Sequence, residues 1–279
     1  MPLTERRRPG ADTLWGESWY FDFASVDATV GGFVRVGDYP NLGRRWCWAY
    51  LAVGSRVVGC ALDRPLSDQP DDAGQSTDAA LRLSIEPDIE PDGDGWHLAA
   101  AGDGFALDLT WRERARPYVY TGGSRLEQPG WVAGEVSVDG SRIALDGPGQ
   151  RDHSWGVRDW WRFGWTWCAG ALSDGTRFQA TLLDARGRIR PDGYLMAPDG
   201  PPEPVHSVAV RENAVRLNDI ELEFADLAHV TLELPSPPGR PVRPPTRLRR
   251  AMVQVRTGTG LHGIGWRERN MPGAVDGHA

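Results

Sequence analysis

Apolar and polar residues alternate with a period of two through most of this chain, in short segments separated by turn dipeptides. Successive side chains of a β-strand point to opposite faces of a sheet, so this period predicts strands. The dipeptides Asp139-Gly140, Asp174-Gly175 and Asp92-Gly93 favour tight hairpin turns. Helical periodicity between a start and a stop signal is scarce. We therefore expect an all-β, antiparallel protein, with strands at 46–53, 81–85, 96–101, 105–112, 134–138, 161–171, 177–183, 205–210, 214–217, 220–224, 230–234 and 251–257.

Strands this short and this numerous leave many sheet edges, which proteins cover by closing sheets into barrels or by stacking them. A chain of 279 residues is long enough for two such bodies. A boundary within 113–130 divides it into two β halves, each of which opens near an aromatic and acidic motif. We therefore predict an N-terminal domain at 1–125 and a C-terminal domain at 126–279.

Composition excludes several classes of protein. The net charge of −7 disfavours general nucleic-acid binding, which needs a basic surface. The three cysteines lack CxxC spacing, and no glycine-rich phosphate loop occurs, so neither a metal site nor an organic cofactor is expected. No signal peptide and no run of roughly 18 apolar residues is visible, which favours a cytoplasmic protein without a transmembrane segment. The oligomeric state is left open.

One segment concentrates ionisable groups among indoles. Residues 149–168 read GQRDHSWGVRDWWRFGWTWC and hold five of the 13 tryptophans. Burial among indoles disfavours the charged form of a carboxyl, so it could stay protonated near neutral pH and act as an acid. We therefore predict a catalytic site of Asp152, His153 and Asp159, with either aspartate as the acid and His153 as its partner. The predicted apolar, π-stabilising wall consists of Trp155, Trp161, Trp165, Trp167, Trp19 and Trp48.

The local conformation of this segment is also predicted. From Trp161 onward the alternation indicates a strand, with Trp161, Trp165 and Trp167 on one face. The preceding residues, 151–159, are interpreted as the turn before that strand. Two structural alternatives stay open: the ionisable cluster could be a buried ion-pair network, and the indoles could be barrel core.

A second cluster, WGESWYFDF, occupies 15–23. Its carboxylates Glu17 and Asp22 are interpreted as structural. Asp22 would share a strand face with Ser18 and Tyr20, opposite Trp19, so only one of these faces can point into a core.

These two clusters carry a resemblance to a known family. RDHSWGVRDW, after the strand–turn–strand EVSVDGSRIALDGPG, resembles the signature of proteins related to carotenoid 1,2-hydratase (hydroxyneurosporene synthase), and GESWYFDFAS is similar to the opening of the same group. That superfamily includes two-domain lipocalin-like Diels–Alderases and, more distantly, tocopherol cyclase. The resemblance implies two lipocalin-like β-barrels with an apolar pocket, and hydration or cyclisation of polyenes without a metal or organic cofactor.

The family pattern is matched in part. His153 and Trp155 match the His-x-Trp pair of the hydratases, whereas the following Tyr-x-Asp pair is absent from 178–184, which read FQATLLD. Asp159 or Asp184 would then replace the missing aspartate.

Two functions follow as hypotheses. The first is a cofactor-independent, acid-catalysed hydratase, dehydratase or cyclase acting on the double bonds of a terpenoid, steroid or polyketide-like compound. The second is a non-catalytic carrier or sensor of lipophilic ligands, since small β-barrels readily hold such molecules.

Overall fold

The computed structural model of the 279-residue chain describes residues 6–66, 75–90, 93–185, 188–236 and 245–273. It divides into two compact units, Met1–Arg158 and Asp159–Ala279. Within the described residues, the regular elements are β-strands apart from a 3-10 turn at Pro40–Leu42. The prediction of an all-β, antiparallel protein is confirmed.

The first unit is one antiparallel sheet, which curls on itself. In the described residues its strands follow the order β4-β3-β2-β1-β11-β10-β8-β7-β6-β5, with β9 beside β10. The edge strands β4 and β5 approach each other where Arg64 Nη1 donates to Ser76 Oγ at 3.1 Å, so the sheet forms a half-barrel. The strands are β1 (Trp15–Ala24), β2 (Val30–Tyr39), β3 (Arg44–Val53), β4 (Arg56–Pro65), β5 (Gln75–Thr77), β6 (Leu81–Glu90), β7 (Gly93–Gly102), β8 (Phe105–Glu113), β9 (Tyr118–Val119), β10 (Arg125–Val138) and β11 (Ser141–Val157).

The second unit is a separate antiparallel sheet, in the order β15-β14-β13-β12-β20-β19-β18-β17-β16 over the described residues. Phe178 of β13 and Phe224 of β18 have ring centroids 6.4 Å apart although three strands separate them along the sheet, so this sheet also curls. Its strands are β12 (Gly164–Leu172), β13 (Arg177–Ala185), β14 (Arg188–Met196), β15 (Glu203–Pro204), β16 (Val208–Val210), β17 (Ala214–Leu217), β18 (Ile220–Leu234), β19 (Thr246–Thr257) and β20 (His262–Pro272).

Each unit has its own apolar core on the inner face of its sheet. In the first unit, Trp19, Phe21 and Phe23 of β1 are fully buried there. Burial of a side chain such as Phe21 contributes about 1.5–3 kcal/mol, so these residues hold β1 at the centre of the curl. In the second unit the core includes Cys168, Phe178 and Val253.

The predicted turns agree with the structure where it describes them. Asp139-Gly140 joins β10 to β11, and both residues have positive φ angles of 49° and 79°. Asp174-Gly175 joins β12 to β13, with φ of 91° at Gly175. Asp92 lies outside the described residues.

Two local predictions near the proposed site were wrong. Residues 151–157 are not a turn but the end of β11, which pairs with β1 on one side and β10 on the other. The strand predicted from Trp161 begins at Gly164 instead. Residues 151–154 of β11 are buried on both faces of the sheet. Their sequence therefore lacks the polar–apolar alternation that marks a strand with one exposed face.

The division of the chain also differs from the predicted boundary at 125/126. That position is the start of β10, which is hydrogen-bonded to β8 and to β11 within the first sheet. Splitting the chain there would separate β10 from its partner β8 and β11 from its partner β1. The units divide between Arg158 and Asp159.

Within the described residues, the fold contains no helix with the length and apolar character of a membrane-spanning segment.

Candidate functional site

The centre of the first sheet brings a carboxyl and an imidazole together from distant parts of the sequence. In the register of β1 and β11, Trp19 lies opposite His153 and Glu17 lies opposite Trp155. Residues directly opposite each other share a face, so Glu17, Trp19, His153 and Trp155 all point to the inner face. His153 Nε2 lies 2.9 Å from Glu17 Oε1, and both side chains are buried. Which group carries the proton depends on the imidazole tautomer.

Two indoles enclose this pair. The ring of Trp19 stacks on the imidazole of His153, with centroids 5.2 Å apart and an interplanar angle of 11°. Trp155 contacts the same imidazole at 4.9 Å with a tilt of 46°. The Glu17–His153 pair is therefore an ionisable site within aromatic surroundings.

Burial changes the acidity of Glu17. Loss of solvation raises the pKa of its carboxyl from 4.5 to about 7, and the charge of Asp38 contributes in the same direction. The backbone N–H of Arg7 and the guanidinium of Arg6 act in the opposite sense. Near neutral pH the Glu17 carboxyl is thus available both as a proton donor and as a proton acceptor.

The segment 6–13 covers this pair. The backbone N–H of Arg7 donates to both Glu17 oxygens, at 3.0 Å to Oε1 and 3.2 Å to Oε2. The Arg7 guanidinium lies over the Trp155 ring, 4.4 Å from its centroid. Arg6 pairs with Asp38 at 2.5 Å. Asn41 Nδ2 donates to the backbone oxygens of Gly10 (2.8 Å) and Asp12 (2.7 Å), which fixes the far end of the segment.

A second polar layer lies one step further along the inner face. Arg151 faces Phe21 across the ladder, and its guanidinium lies over the Trp96 ring at 4.6 Å. Arg151 Nη1 donates to Gln128 Oε1 at 3.0 Å. The Gln128 amide in turn donates to Glu113 Oε2 at 2.8 Å. The inner face thus alternates polar groups with indoles.

The buried indole N–H groups of Trp19 and Trp111 have no hydrogen-bond partner in the described part of the structure. A buried donor left unpaired costs about 1–3 kcal/mol. The Trp19 group belongs to the ring that stacks on His153, so a free hydrogen-bond donor is carried by the aromatic wall of the pair.

The structure separates Asp152 from His153. Adjacent residues of a strand point to opposite faces, and Asp152 lies on the outer face opposite Tyr20. There it forms an ion pair with Arg125, which also pairs with Glu127 at 2.7 Å. The structure thus does not bring Asp152 and His153 together, and the carboxyl that contacts His153 is that of Glu17.

Trp48 belongs to this outer face as well. Its partner across the ladder is Arg35, whose guanidinium lies 4.5 Å from the Trp48 ring centroid. Trp19 and Trp48, predicted to share a wall, therefore lie on opposite faces of the first sheet.

Arg158, at the end of this unit, has its pKa lowered to about 10 by desolvation and the nearby Arg125, and stays charged at neutral pH.

The remaining predicted residues belong to the second unit. The backbone oxygen of Asp159 accepts from Arg162 N in the turn before β12, and Asp184 lies on β13 opposite Gly164. Trp161 Nε1 donates to the Leu234 oxygen at 3.3 Å. Trp165 Nε1 donates to Glu268 Oε1 at 2.6 Å, and Arg250 lies over the Trp167 ring at 5.3 Å. Trp165 and Trp167 occupy the face opposite Cys168, so they do not contribute to this unit's apolar core.

An open groove of about 540 Å³ lies elsewhere on the first unit, over β5 to β8 and β10. Alanines such as Ala99 and Ala106 line it together with Arg82 and Asp108. Neither Glu17 nor His153 is among its lining residues. Among the described residues no group of three or more metal-ligating side chains converges.

Comparison with known proteins places the chain in a family. A sequence profile described as "Domain of unknown function (DUF7064)" matches residues 3–272. The chain belongs to this family. No curated protein matches the DUF7064 chain in sequence.

Solved structures share the fold of the DUF7064 chain at low identity. CghA in complex with Sch210972 is 14% identical with a TM-score of 0.63, over 100% of this chain and 96% of that chain. An AttH candidate from Nitrosomonas europaea is 13% identical with a TM-score of 0.63, over 96% and 98%. Kievitone hydratase from Nectria haematococca is 10% identical with a TM-score of 0.59, over 93% and 90%. At these identities the likeness establishes a common fold.

Proposed function

We propose that this chain is a cofactor-independent enzyme that hydrates, dehydrates or cyclises a hydrophobic small molecule by acid catalysis. Glu17 is the acid and His153 its partner. The observation that carries the proposal is the buried contact of 2.9 Å between His153 Nε2 and Glu17 Oε1, set between Trp19 and Trp155.

The proton transfers follow from the properties of this pair. A carboxyl with a pKa of about 7 exists in both forms near neutral pH, which suits a general acid. The protonated Glu17 gives its proton to an alkene carbon or a carbonyl oxygen, which leaves positive charge on the substrate. In a hydration, water adds to that cation and its extra proton returns to the Glu17 carboxylate, directly or through His153 Nε2. In a cyclisation, a second double bond attacks the cation and the proton lost afterwards returns in the same way.

The indoles supply the other requirement of this chemistry. A cation near the face of Trp19 or Trp155 is attracted by the ring quadrupole, with a gain that grows when water is excluded. The unpaired N–H of Trp19 adds a donor for a hydroxyl or carbonyl oxygen of the substrate. An apolar molecule that carries at least one such oxygen therefore fits these surroundings best.

Two of the structures with this fold support the reaction class. One is a hydratase by name, and the other was solved with the small molecule Sch210972. The resemblance of RDHSWGVRDW to the carotenoid hydratase signature agrees with them, since His153 and Trp155 of that motif are two members of the proposed site.

The test is product analysis of the full chain with kievitone, an acyclic terpene and a steroid alkene in ¹⁸O-labelled water. A product heavier by one labelled water indicates hydration, and a product of equal mass with a new retention time indicates cyclisation. Turnover should be lost in Glu17→Gln and His153→Ala and kept in Asp152→Asn, whose side chain lies on the outer face.

Each contrary result has a distinct meaning. Loss of turnover in Asp152→Asn or Asp159→Asn, with Glu17→Gln active, would move the acid to the aspartates predicted from the sequence. Recovery of every bound ligand unchanged, with binding detected by tryptophan fluorescence, would identify a carrier of lipophilic ligands. Melting temperatures of all variants separate loss of turnover from loss of folding.

A further inference from the structure

The second sheet carries an unusual concentration of arginine on its inner face. In the register of β19 and β20, Arg249 lies directly opposite Arg269. Arg267, two residues before Arg269, shares that face and lies opposite Ala251, a member of the apolar core. We call Arg249, Arg267 and Arg269 the arginine rim.

Carboxylates neutralise the positive charge of the arginine rim only in part. Asp226 pairs with Arg249 at 2.6 Å and with Arg267 at 3.2 Å, so one carboxylate serves two guanidiniums. Arg269 is exposed and, among the described residues, forms no ion pair. The neighbouring pair Arg247–Glu233, at 3.2 Å, is neutral in sum. The rim thus keeps an excess of positive charge in a chain whose net charge is −7.

The three guanidiniums are close enough to act on one another. Desolvation lowers the pKa of Arg267, and after the opposing effect of Asp226 the charges of Arg249 and Arg269 lower it further. Like charges directly opposite each other in a ladder are destabilising. A bound anion would offset this repulsion.

The position of the rim suggests what kind of molecule brings that anion. On one side the same face continues into the core residues Val253 and Phe224, and the Arg267 guanidinium lies 5.6 Å from the Phe224 ring centroid. On the other side it continues into His229 and Thr231, which are exposed and lie opposite Ala251 and Arg249. The rim is thus the border between an apolar surface and solvent.

We propose that the arginine rim binds the oxyanion group, a carboxylate or a phosphate, of an amphiphilic molecule. Guanidinium forks match the paired oxygens of such groups, and these charge-assisted bonds are among the strongest hydrogen bonds in proteins. The Asp226 carboxylate orders Arg249 and Arg267, while Arg269 supplies the charge that is not yet matched. This site lies within the second unit and does not depend on the acid–base role of Glu17.

Isothermal titration calorimetry on the full chain tests the proposal with three probes: inorganic phosphate, decanoate and decyl phosphate. We expect both amphiphiles to bind, and Arg269→Gln to weaken their binding at least about tenfold, the equivalent of one charge-assisted hydrogen bond. Arg269→Gln breaks no ion pair among the described residues, so its melting temperature without ligand should equal that of the wild type. Arg256→Gln, an exposed arginine of the same strand β19 outside the rim, is the matched control and should bind normally.

The arms of the experiment separate the sources of the anion. Inorganic phosphate binding as tightly as decyl phosphate, with the same loss in Arg269→Gln, would keep the oxyanion site but remove the amphiphile from it. No binding of any probe, or equal weakening by Arg269→Gln and Arg256→Gln, would overturn the proposal. Glu17→Gln should leave this binding intact, so the two proposals can fail independently of each other.

Discussion

His153 Nε2 and Glu17 Oε1 lie 2.9 Å apart although 136 positions separate the two residues in the sequence. The contact exists because β1 and β11 are neighbours at the centre of the first sheet, with Trp19 opposite His153. It gives a buried carboxyl an imidazole partner and an aromatic enclosure at the same time. Removing water from such a pair strengthens every electrostatic interaction within it.

Glu17 is expected to make the protein less stable as the pH rises. Its pKa is 4.5 in an unstructured chain and about 7 in the folded protein, so between these values the folded state holds a proton that the unfolded state releases. The stabilisation is complete below pH 4.5 and is lost as the pH rises through about 7. Relative to Glu17→Gln, which does not titrate, the free energy of unfolding should fall by about 3 kcal/mol across this interval.

Urea unfolding of the wild type and Glu17→Gln over this pH range measures that difference directly. Because the two chains share every other titrating group, their difference reports on Glu17 together with the effect of Glu17 on its partner His153. A difference that stays constant with pH, or that grows in favour of the wild type, would mean that burial does not raise the pKa of this carboxyl.

The backbone of Arg7 is expected to hold down the pKa of Glu17. Arg7→Pro removes the N–H that donates to both Glu17 oxygens, whereas Arg7→Ala keeps the N–H and removes only the guanidinium above Trp155. The carboxylate loses its hydrogen bonds in the proline variant, so its pKa should rise clearly above about 7. The alanine variant should show a smaller rise.

Carboxyl ¹³C chemical shifts of labelled glutamate, followed against pH, give these values. The Glu17 signal is identified by its disappearance in Glu17→Gln. Titration curves of both variants identical to that of the wild type would show that Arg7 does not control the acidity of Glu17, and identical shifts in the two variants would assign the effect to the guanidinium rather than to the N–H.

The fold was predictable from local pattern, and the pairing within the site was not. Period-two alternation identifies β8 or β13 because one face of each is more apolar than the other. The alternation in WGESWYFDF places Trp19, Phe21 and Phe23 on one apolar face of β1, which is the inner face. Because both faces of β1 are buried, the sequence does not single out Glu17 as a site residue. Arg151 to Ser154 of β11 are also buried on both faces, so they lack apolar alternation and their sequence indicates a turn rather than a strand.

The partner of His153 depends on register across β1 and β11, and no local signal encodes register over 136 positions. One clue was present: strict alternation along any strand places Asp152 and His153 on opposite faces. A strand at 151–157 by itself excludes Asp152 as the partner of His153. The identity of that partner, Glu17, follows only from the register of the β1–β11 ladder.

Gly130 is expected to tolerate no side chain. A Cβ there would lie 2.1 Å from Cε2 of Trp111, whose ring packs over Gly130 next to its ladder partner Gly149. Gly130→Ala should therefore force Trp111 from its place in the core, at a cost of about 1–3 kcal/mol. Gly122→Ala is the control, since a Cβ at that position meets no atom within 4 Å.

Urea denaturation followed by tryptophan fluorescence compares these two variants with the wild type. The control should stay within about 0.5 kcal/mol of the wild type. Equal stability of the two variants would show that the Trp111 ring can move aside at little cost in free energy.

Trp165→Phe is expected to destabilise the protein more than Trp19→Phe does, although Trp19 is the more deeply buried of the two. Trp19 is fully buried but its N–H has no partner among the described residues, so Trp19→Phe removes an unpaired donor together with some apolar contact. Trp165 is only half-buried, yet its N–H donates to Glu268 Oε1 at 2.6 Å. Trp165→Phe therefore leaves a buried carboxylate oxygen without its donor, which costs about 1–3 kcal/mol. Thermal and urea unfolding should place Trp165→Phe below Trp19→Phe in stability. The opposite order would mean that the Trp19 N–H already has an acceptor in the folded protein, such as a bound water, and is not free for a substrate oxygen.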